Sequence, residues 1–345
     1  MNRSLKIIVV SPASKAYAWE INILMHSLFK HGFPMENVIW LCYGHAYYAE
    51  LMRSKYLCEV HLYQDENPNR AYPTGVRFNL LRQYFSEDSS RCGDGTVYLY
   101  VDSDVAFTCL PSIDDFSDVT AREWVGSDAT WYAGLNYTLN AHGIDVERSI
   151  LRSLEVSPAS VERYRDYLPG VQWAMCIDDS SFFLSCELAC DSIYSNLELL
   201  YSRDSAPIYD GIIWMTDMWA MPIVASEYGV RTRIRQDMDF SMPTDNIANW
   251  GRNLFFHNSG NTADSLLQYT NFSKEYFRNL PMVNHTFVSS RNIALSNYLE
   301  LLVESGYPNH VIYTNKPSDG YRGIYQPYRY DKNGMQSLRV YTHPY

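Results

Sequence analysis

The chain has 345 residues, 46% of them apolar, enough to bury a large core in one large domain or two. A formal charge of −11 speaks against a general nucleic-acid or anionic-membrane surface, although it is compatible with a local basic groove. No stretch approaches the roughly 18 consecutive apolar residues of a spanning helix, and Met1 to Ser14 lacks the small-residue cleavage pattern of a secretory leader, so a cytoplasmic protein without a membrane anchor is expected.

In chain order, Leu5 to Val10 is a short apolar run that predicts a strand. The loop from Ser11 to Tyr17 leads into a helix in which Trp19, Ile23, Leu24 and Leu28 recur at helical spacing and Gly32 supplies the cap. Val38 to Tyr43 and Glu59 to Tyr63 read as the next strands, with a helix-compatible stretch between them. Right-handed crossovers would lay such strands side by side in a parallel sheet. A Pro/Gly-marked loop then enters a further helix, with Arg77 and Asn79 near its first turn.

Val97 to Val101 is apolar or aromatic throughout, as expected of a strand buried on both faces, and Asp102 and Asp104 break the run at its carboxyl end. Ligands of open α/β sheets sit outside the carboxyl ends of strands. A strand alternates its side chains, so Asp102 and Asp104 can converge on one point with Ser103 turned aside. Two converging carboxylates repel one another unless a cation lies between them, and hard oxygen ligands suit Mg²⁺ or Mn²⁺. A polar strand end or an Asx turn would also explain the triplet.

Farther on, Trp124, Trp131 and Tyr132 lie in an aromatic stretch suited to stacking on sugars or bases, or to a core. Residues 140–168 carry helical patches and no evident chemistry. In the segment from Gly170 to Ser185, Gly170 lets backbone approach a ligand and Gln172 can hydrogen-bond sugar hydroxyls. Asp178 and Asp179 lie too far ahead of a helix starting near Ser185 to cap it. Trp214, Met218, Met221 and Ala225 share a helical stripe. Asp217 lies beside it among apolar neighbours, where a charge needs a partner or a purpose. After an apolar Leu254–Phe256 comes His257, then Asn258, Ser259 and Gly260, a polar turn able to clasp phosphate through backbone amides. The tail beyond Asp264 is rich in Tyr, Pro, Gly and Arg; Lys316, Arg322, Tyr325, Tyr328 and Arg329 suit phosphate binding or base stacking. The seven cysteines, an odd number spread over predicted strands and helices, read as reduced core residues, and the Cys186/Cys190 pair has no matching partners for zinc.

The DSD triplet resembles the Asp-x-Asp motif of GT-A glycosyltransferases, and SLKIIVVSPAS, GVQWAMCIDDSSFFLS, WMTDMWAMPIVASEYGV and FFHNSG fit that resemblance in order over residues 5–262. Within that fold the chain looks most like the hydroxyproline O-arabinosyltransferase and peptidyl serine galactosyltransferase group. Its Trp-x-x-Glu-Met-Tyr run corresponds to the segment that here carries Asp217 and Trp219. The resemblance implies an α/β GT-A (Rossmann-like) catalytic domain, with a mixed, mostly parallel sheet flanked by helices, over 1–263. A loop-rich extension packed on it would cover 264–345. It implies that Asp102, Asp104 and His257 hold Mn²⁺ (or Mg²⁺) and that Ser11 and Ser14 lie by the uracil and ribose of a UDP-sugar. Arg77, Ser103, Asn258 and Gly260 would contact the donor's diphosphate side, with Gly170 and Gln172 at its sugar. Asp217 would be the catalytic acid, acting at the sugar because the resembled group is retaining. The acceptor would be a hydroxyl on a peptide or glycan; a hydroxymethylated pyrimidine in DNA, as for phage transferases, is an alternative. A nucleotide-sugar-binding protein without turnover is another. A nucleotidyltransferase is disfavoured because the first β–α loop lacks a Gly-rich, Lys/Arg-bearing turn.

Overall fold

The apolar runs of the first two-thirds of the chain become a seven-stranded sheet in the computed structural model. The structure describes residues 3–154, 162–204, 215–259, 269–270, 272, 274, 286–307, 310–314, 330–331 and 334–335. The chain begins with β1 (Leu5–Ala13), α1 (Lys15–Lys30), β2 (Val38–Gly44), α2 (Ala46–Tyr56), β3 (Glu59–Leu62) and α3 (Val76–Glu87). It continues with β4 (Val97–Val101), β5 (Val105–Phe107), β6 (Glu123–Asp128), α4 (Thr130–Ala133), α5 (Leu135–His142), α6 (Ile144–Ser153) and β7 (Pro169–Met175). Then follow α7 (Ser181–Asp204), α8 (Thr216–Glu227), β8 (Arg231–Ile234), β9 (Phe240–Ser241), β10 (Phe255–His257), β11 (Thr286–Ser290), α9 (Leu295–Glu304) and β12 (His310–Thr314). None of the described helices is long and apolar enough to cross a membrane.

The chain divides into two compact units. The first comprises Met1–Ala13, Phe33–Ser103 and Pro111–Asp239 and holds the large sheet, in the order β3-β2-β1-β4-β7-β6-β8. Strands β3, β2, β1 and β4 are mutually parallel, β7 runs antiparallel to both neighbours, and β6 and β8 are parallel. This is the mixed, mostly parallel α/β sheet with flanking helices that the sequence led us to expect. The middle strand β4 is apolar or aromatic at every position because both faces are covered. Tyr98, Tyr100, Trp173 and Met175 pack with Phe78, Leu81 and Phe85 of α3, Phe182 and Phe183 of α7, and Trp219 and Ile223 of α8. The Trp219 indole donates to the Ala133 carbonyl at 2.6 Å and ties α8 to α4.

The second unit comprises Ser14–Gly32, Asp104–Leu110 and Phe240–Tyr345. Its three-stranded sheet has the order β5-β10-β9. Trp19 and Ile23 of α1 share a core with Phe256, Phe287, Tyr298 and Leu302. The Ser27 hydroxyl accepts the Phe107 amide at 2.9 Å, and the Asn22 amide donates to the Ser305 carbonyl at 3.1 Å, joining sequence-distant segments of this unit.

Two local expectations are corrected. The first strand does not end at Val10: ladder pairing with β2 continues to Ala13↔Gly44, so Ser11 is a strand residue rather than the start of a loop. The helix expected near Ser185 starts at Ser181. Asp179 does cap it, its carboxylate accepting the Ser181 amide at 2.8 Å.

Candidate functional site

In the first unit the site is built around the end of β4. The ladder to β1 ends at Val9↔Val101 and that to β7 at Tyr100↔Trp173, so no neighbour holds the backbone extended beyond Val101. The chain turns at Ser103 and Asp104 and resumes as β5 at Val105. Strand alternation therefore does not set the relation of Asp102 to Asp104, contrary to expectation; a turn does.

Helix α3 enters through the turn at Pro73–Gly75 and buries Val76, Phe78, Leu80 and Leu81, which leaves Arg77 in its first turn beside the end of β4. One guanidinium nitrogen, Nη1, donates to Asp102 Oδ1 at 3.3 Å and to Asp217 Oδ2 at 2.6 Å. Asp217 is buried in the first turn of α8, where the helix dipole favours a carboxylate, and its Oδ1 accepts the Tyr72 hydroxyl at 3.1 Å. Burial alone would make Arg77 easier to deprotonate. Asp217, followed by Tyr100 and Asp102, outweighs that and holds its pKa well above the ordinary value. The fork expected at a diphosphate is thus engaged by two carboxylates. A narrow cleft of about 300 Å³, counted with its open mouth, lies here, lined by Arg77, Asp217, Phe78, Leu81, Tyr100, Val171, Trp173, Met218 and Met221.

In the second unit, β10 pairs antiparallel with β5, and beyond His257↔Val105 the Asn258 amide donates to the Asp104 carbonyl at 2.9 Å. This register sets His257 Nε2 3.1 Å from Asp104 Oδ1, with both residues buried. The His257 ring stands edge-on to Phe240 at 4.9 Å between centroids. Lys274 Nζ donates to Asp104 Oδ2 and lies 3.7 Å from Oε1 of the buried Glu20. Burial would raise the Asp104 pKa, but Lys274 and His257 together drive it far below the usual carboxylate range.

The remaining sequence candidates are distributed as follows. The Ser11 hydroxyl is buried and accepts the Trp40 indole at 3.0 Å, a core role. Ser14 precedes α1 at the N-cap position without a side-chain cap bond. Ser103 forms the turn after Asp102. Gly170 has φ +149°, a conformation that favours glycine, and a Cβ there would lie 3.6 Å from the Trp173 ring. Gln172 is fully buried on β7, where its Oε1 accepts the Ser127 hydroxyl at 3.2 Å. Gly260, Trp214, Lys316, Arg322, Tyr325, Tyr328 and Arg329 lie outside the described residues.

Sequence reasoning missed Tyr72, Tyr100, Glu20 and Lys274, whereas Tyr132 belongs to the aromatic stretch it had singled out. Tyr100 was findable, since it lies on the strand that leads directly into Asp102. Nothing in the spacing announces Lys274, which reaches Asp104 across 170 residues of chain.

No family model matches the chain, and no curated protein matches it. Among solved structures it is similar to the apo bifunctional glycosyltransferase WbbM, at 9% identity and a TM-score of 0.49. That match covers 89% of this chain and 50% of the other, so the chain spans half the length of WbbM. It is also similar to the galactosyltransferase LgtC in complex with donor and acceptor sugar analogues, with 11% identity, 87% and 95% of the two chains and a TM-score of 0.44. Mouse xyloside xylosyltransferase 1 in its apo form aligns at 7% identity over 70% and 88%, with a TM-score of 0.40.

Proposed function

We propose that this chain is a metal-dependent, GT-A-type glycosyltransferase that moves a sugar from a nucleotide sugar, a UDP-sugar by the sequence resemblance, to a hydroxyl of a macromolecular acceptor with retention. The observation that carries the reading is the position of the DSD triplet. Its first acid ends the middle strand of the sheet beside Arg77 and the buried Asp217, and its second is paired with His257.

The candidate ligand group is Asp102, Asp104 and His257. Asp102 and Asp104 are two residues apart, so covalent geometry alone keeps their Cα atoms within about 7 Å. Two carboxylates and one imidazole form a donor set that suits Mn²⁺. When bound, the ion would supply positive charge to neutralise the departing diphosphate.

The chain's own groups do the rest. Tyr72 and Arg77 each hold one oxygen of Asp217, so this carboxylate is oriented rather than free to rotate. Its role is then to stabilise positive charge developing at the sugar's anomeric carbon. Gln172 and Gly170, on β7, are the groups we assign to the donor sugar. The resemblance of the sequence motifs to the hydroxyproline O-arabinosyltransferase and peptidyl serine galactosyltransferase group makes a peptide hydroxyl one acceptor to test, beside a glycan and a modified base.

Hydrolysis of a panel of nucleotide sugars with Mn²⁺, and again with EDTA, tests the reading. Turnover of a UDP-sugar that EDTA abolishes and Mn²⁺ restores is expected; EDTA-insensitive turnover would contradict the metal role. One observation favours a second reading, a metal-free nucleotide-sugar-binding protein: within each unit a basic side chain already sits on the acid, Arg77 on Asp102 and Lys274 on Asp104. Calorimetry showing UDP-sugar binding indifferent to EDTA, with no turnover, would select it.

A further inference from the structure

The short helix α4 carries two neighbouring aromatic rings with opposite fates. Trp131 is 56% exposed, unusual for so large an apolar surface. Tyr132 meets it edge-on, with centroids 4.7 Å apart, and turns its hydroxyl out of solvent, where that oxygen has no hydrogen-bond partner among the described residues. A phenol withdrawn from water without a partner is held at a cost, so a group that accepts from it would find that cost already borne. Helix α4 is tied to α8, which carries Asp217, by the Trp219 indole on the Ala133 carbonyl at 2.6 Å, and the negative charges felt at this hydroxyl are Asp102 and Asp217 of the candidate site with Asp128 and Asp239.

The setting is rigid. The Asp239 carboxylate accepts the Asp128 amide, and the Asp128 carboxylate accepts the Thr130 amide, both at 2.8 Å. The Thr130 hydroxyl accepts the Leu168 amide at 2.9 Å, and the Ala129 amide donates to the Leu168 carbonyl at 2.9 Å. The exposed indole therefore stands on a fixed element, as a recognition platform requires.

An open aromatic face beside one hydroxyl donor and several carboxylate acceptors suits a neutral polyol ring. The ring's C–H face covers the indole, its hydroxyls donate to the carboxylates, and one of its oxygens accepts from the phenol. A phosphodiester chain would instead meet a cluster of negative charge. We propose that Trp131 and Tyr132, with Asp128 and Asp239, form an acceptor subsite for a sugar ring of a glycan, adjoining the Asp102–Asp217 corner. This rests on the glycosyltransferase reading and narrows its acceptor to a hydroxyl carried by carbohydrate.

Saturation-transfer NMR on the full chain tests it, with galactose, glucose, mannose, xylose, N-acetylglucosamine and lactose as probes at up to tens of millimolar. At least one sugar should show saturable transfer, strongest at its ring C–H protons. Trp131→Ala should weaken that binding by about tenfold or more, equivalent to about 1.4 kcal/mol. Trp131→Phe should retain most of it, and Tyr132→Phe should weaken it severalfold while keeping the ring. The proposal is overturned if no sugar of the panel binds, if Trp131→Ala binds as the parent does, or if a DNA duplex or a hydroxyproline peptide binds in a Trp131-dependent way while the sugars do not. Calorimetry of UDP with Mn²⁺ on the parent protein reports the donor reading separately. Its failure beside successful sugar binding would remove the transferase and leave the subsite.

Discussion

Changing Asp217 to Asn probes the corner on which the proposed chemistry depends. The substitution keeps the side chain's volume and an oxygen for the Tyr72 hydroxyl, but it removes the charge facing Arg77 at 2.6 Å. Unit charges at that separation attract by about 6 kcal/mol at an effective dielectric near 20. Desolvation of both groups offsets most of this, and losing one partner of a buried pair typically costs about 3–5 kcal/mol. Arg77 retains Asp102 at 3.3 Å, and its side chain is 20% exposed. Those two facts bring the expected destabilisation down to about 2 kcal/mol. Arg77→Leu should cost a similar amount, because it leaves Asp102 and Asp217 without their shared cation. In the double variant both penalties are partly relieved, so urea unfolding of the four proteins should give a coupling of about 2 kcal/mol with an unchanged slope. Donor turnover by Asp217→Asn should fall by at least about a hundredfold if the carboxylate stabilises developing charge. A coupling below about 0.5 kcal/mol would refute the claim that Arg77 and Asp217 act as a pair.

Further outcomes can be checked independently. Lys274→Met should tighten Mn²⁺ binding by about tenfold or more in calorimetry, since the ammonium on Asp104 no longer competes for the carboxylate; unchanged or weaker binding would contradict the competition. Thiol labelling at pH 8 should modify the exposed Cys109 first. Cys42 and Cys58, pushed by burial up to about 12 and about 11, should react only on unfolding, and Cys109→Ser should remove the fast phase. In Gly126→Ala the new methyl would stand 3.0 Å from the Gly170 amide nitrogen and 3.2 Å from the Gln172 carbonyl oxygen. Both are backbone atoms, so a loss of about 1–3 kcal/mol is expected in the urea midpoint, and an unshifted midpoint would show that β6 and β7 can move apart there.

Much of the architecture was legible in the residues. Val97–Val101 reads as a two-face-buried strand because it has no polar position, and it lies fourth in the sheet order, covered on both faces. Arg77 in the first turn of a helix, Asp217 on another helix and His257 closing a short strand were placed by periodicity and flanking turn residues, while the position of Asp217 in its helix's first turn was not. The helix start at Ser181 was missed because an Asp cap two residues ahead competes with the apolar run as a boundary signal.

What the amino-acid order determined by itself is the set of strands and helices and the acids they carry, because burial patterns repeat at 2 or 3.6 residues and are written locally. Tertiary structure alone decided the company those acids keep. Arg77 meets Asp217 across 140 residues and Lys274 meets Asp104 across 170, while the Tyr132 hydroxyl is buried in the field of acids from four separate segments. Such pairings depend on where distant stretches of backbone come together, and neither propensity nor spacing encodes that distance.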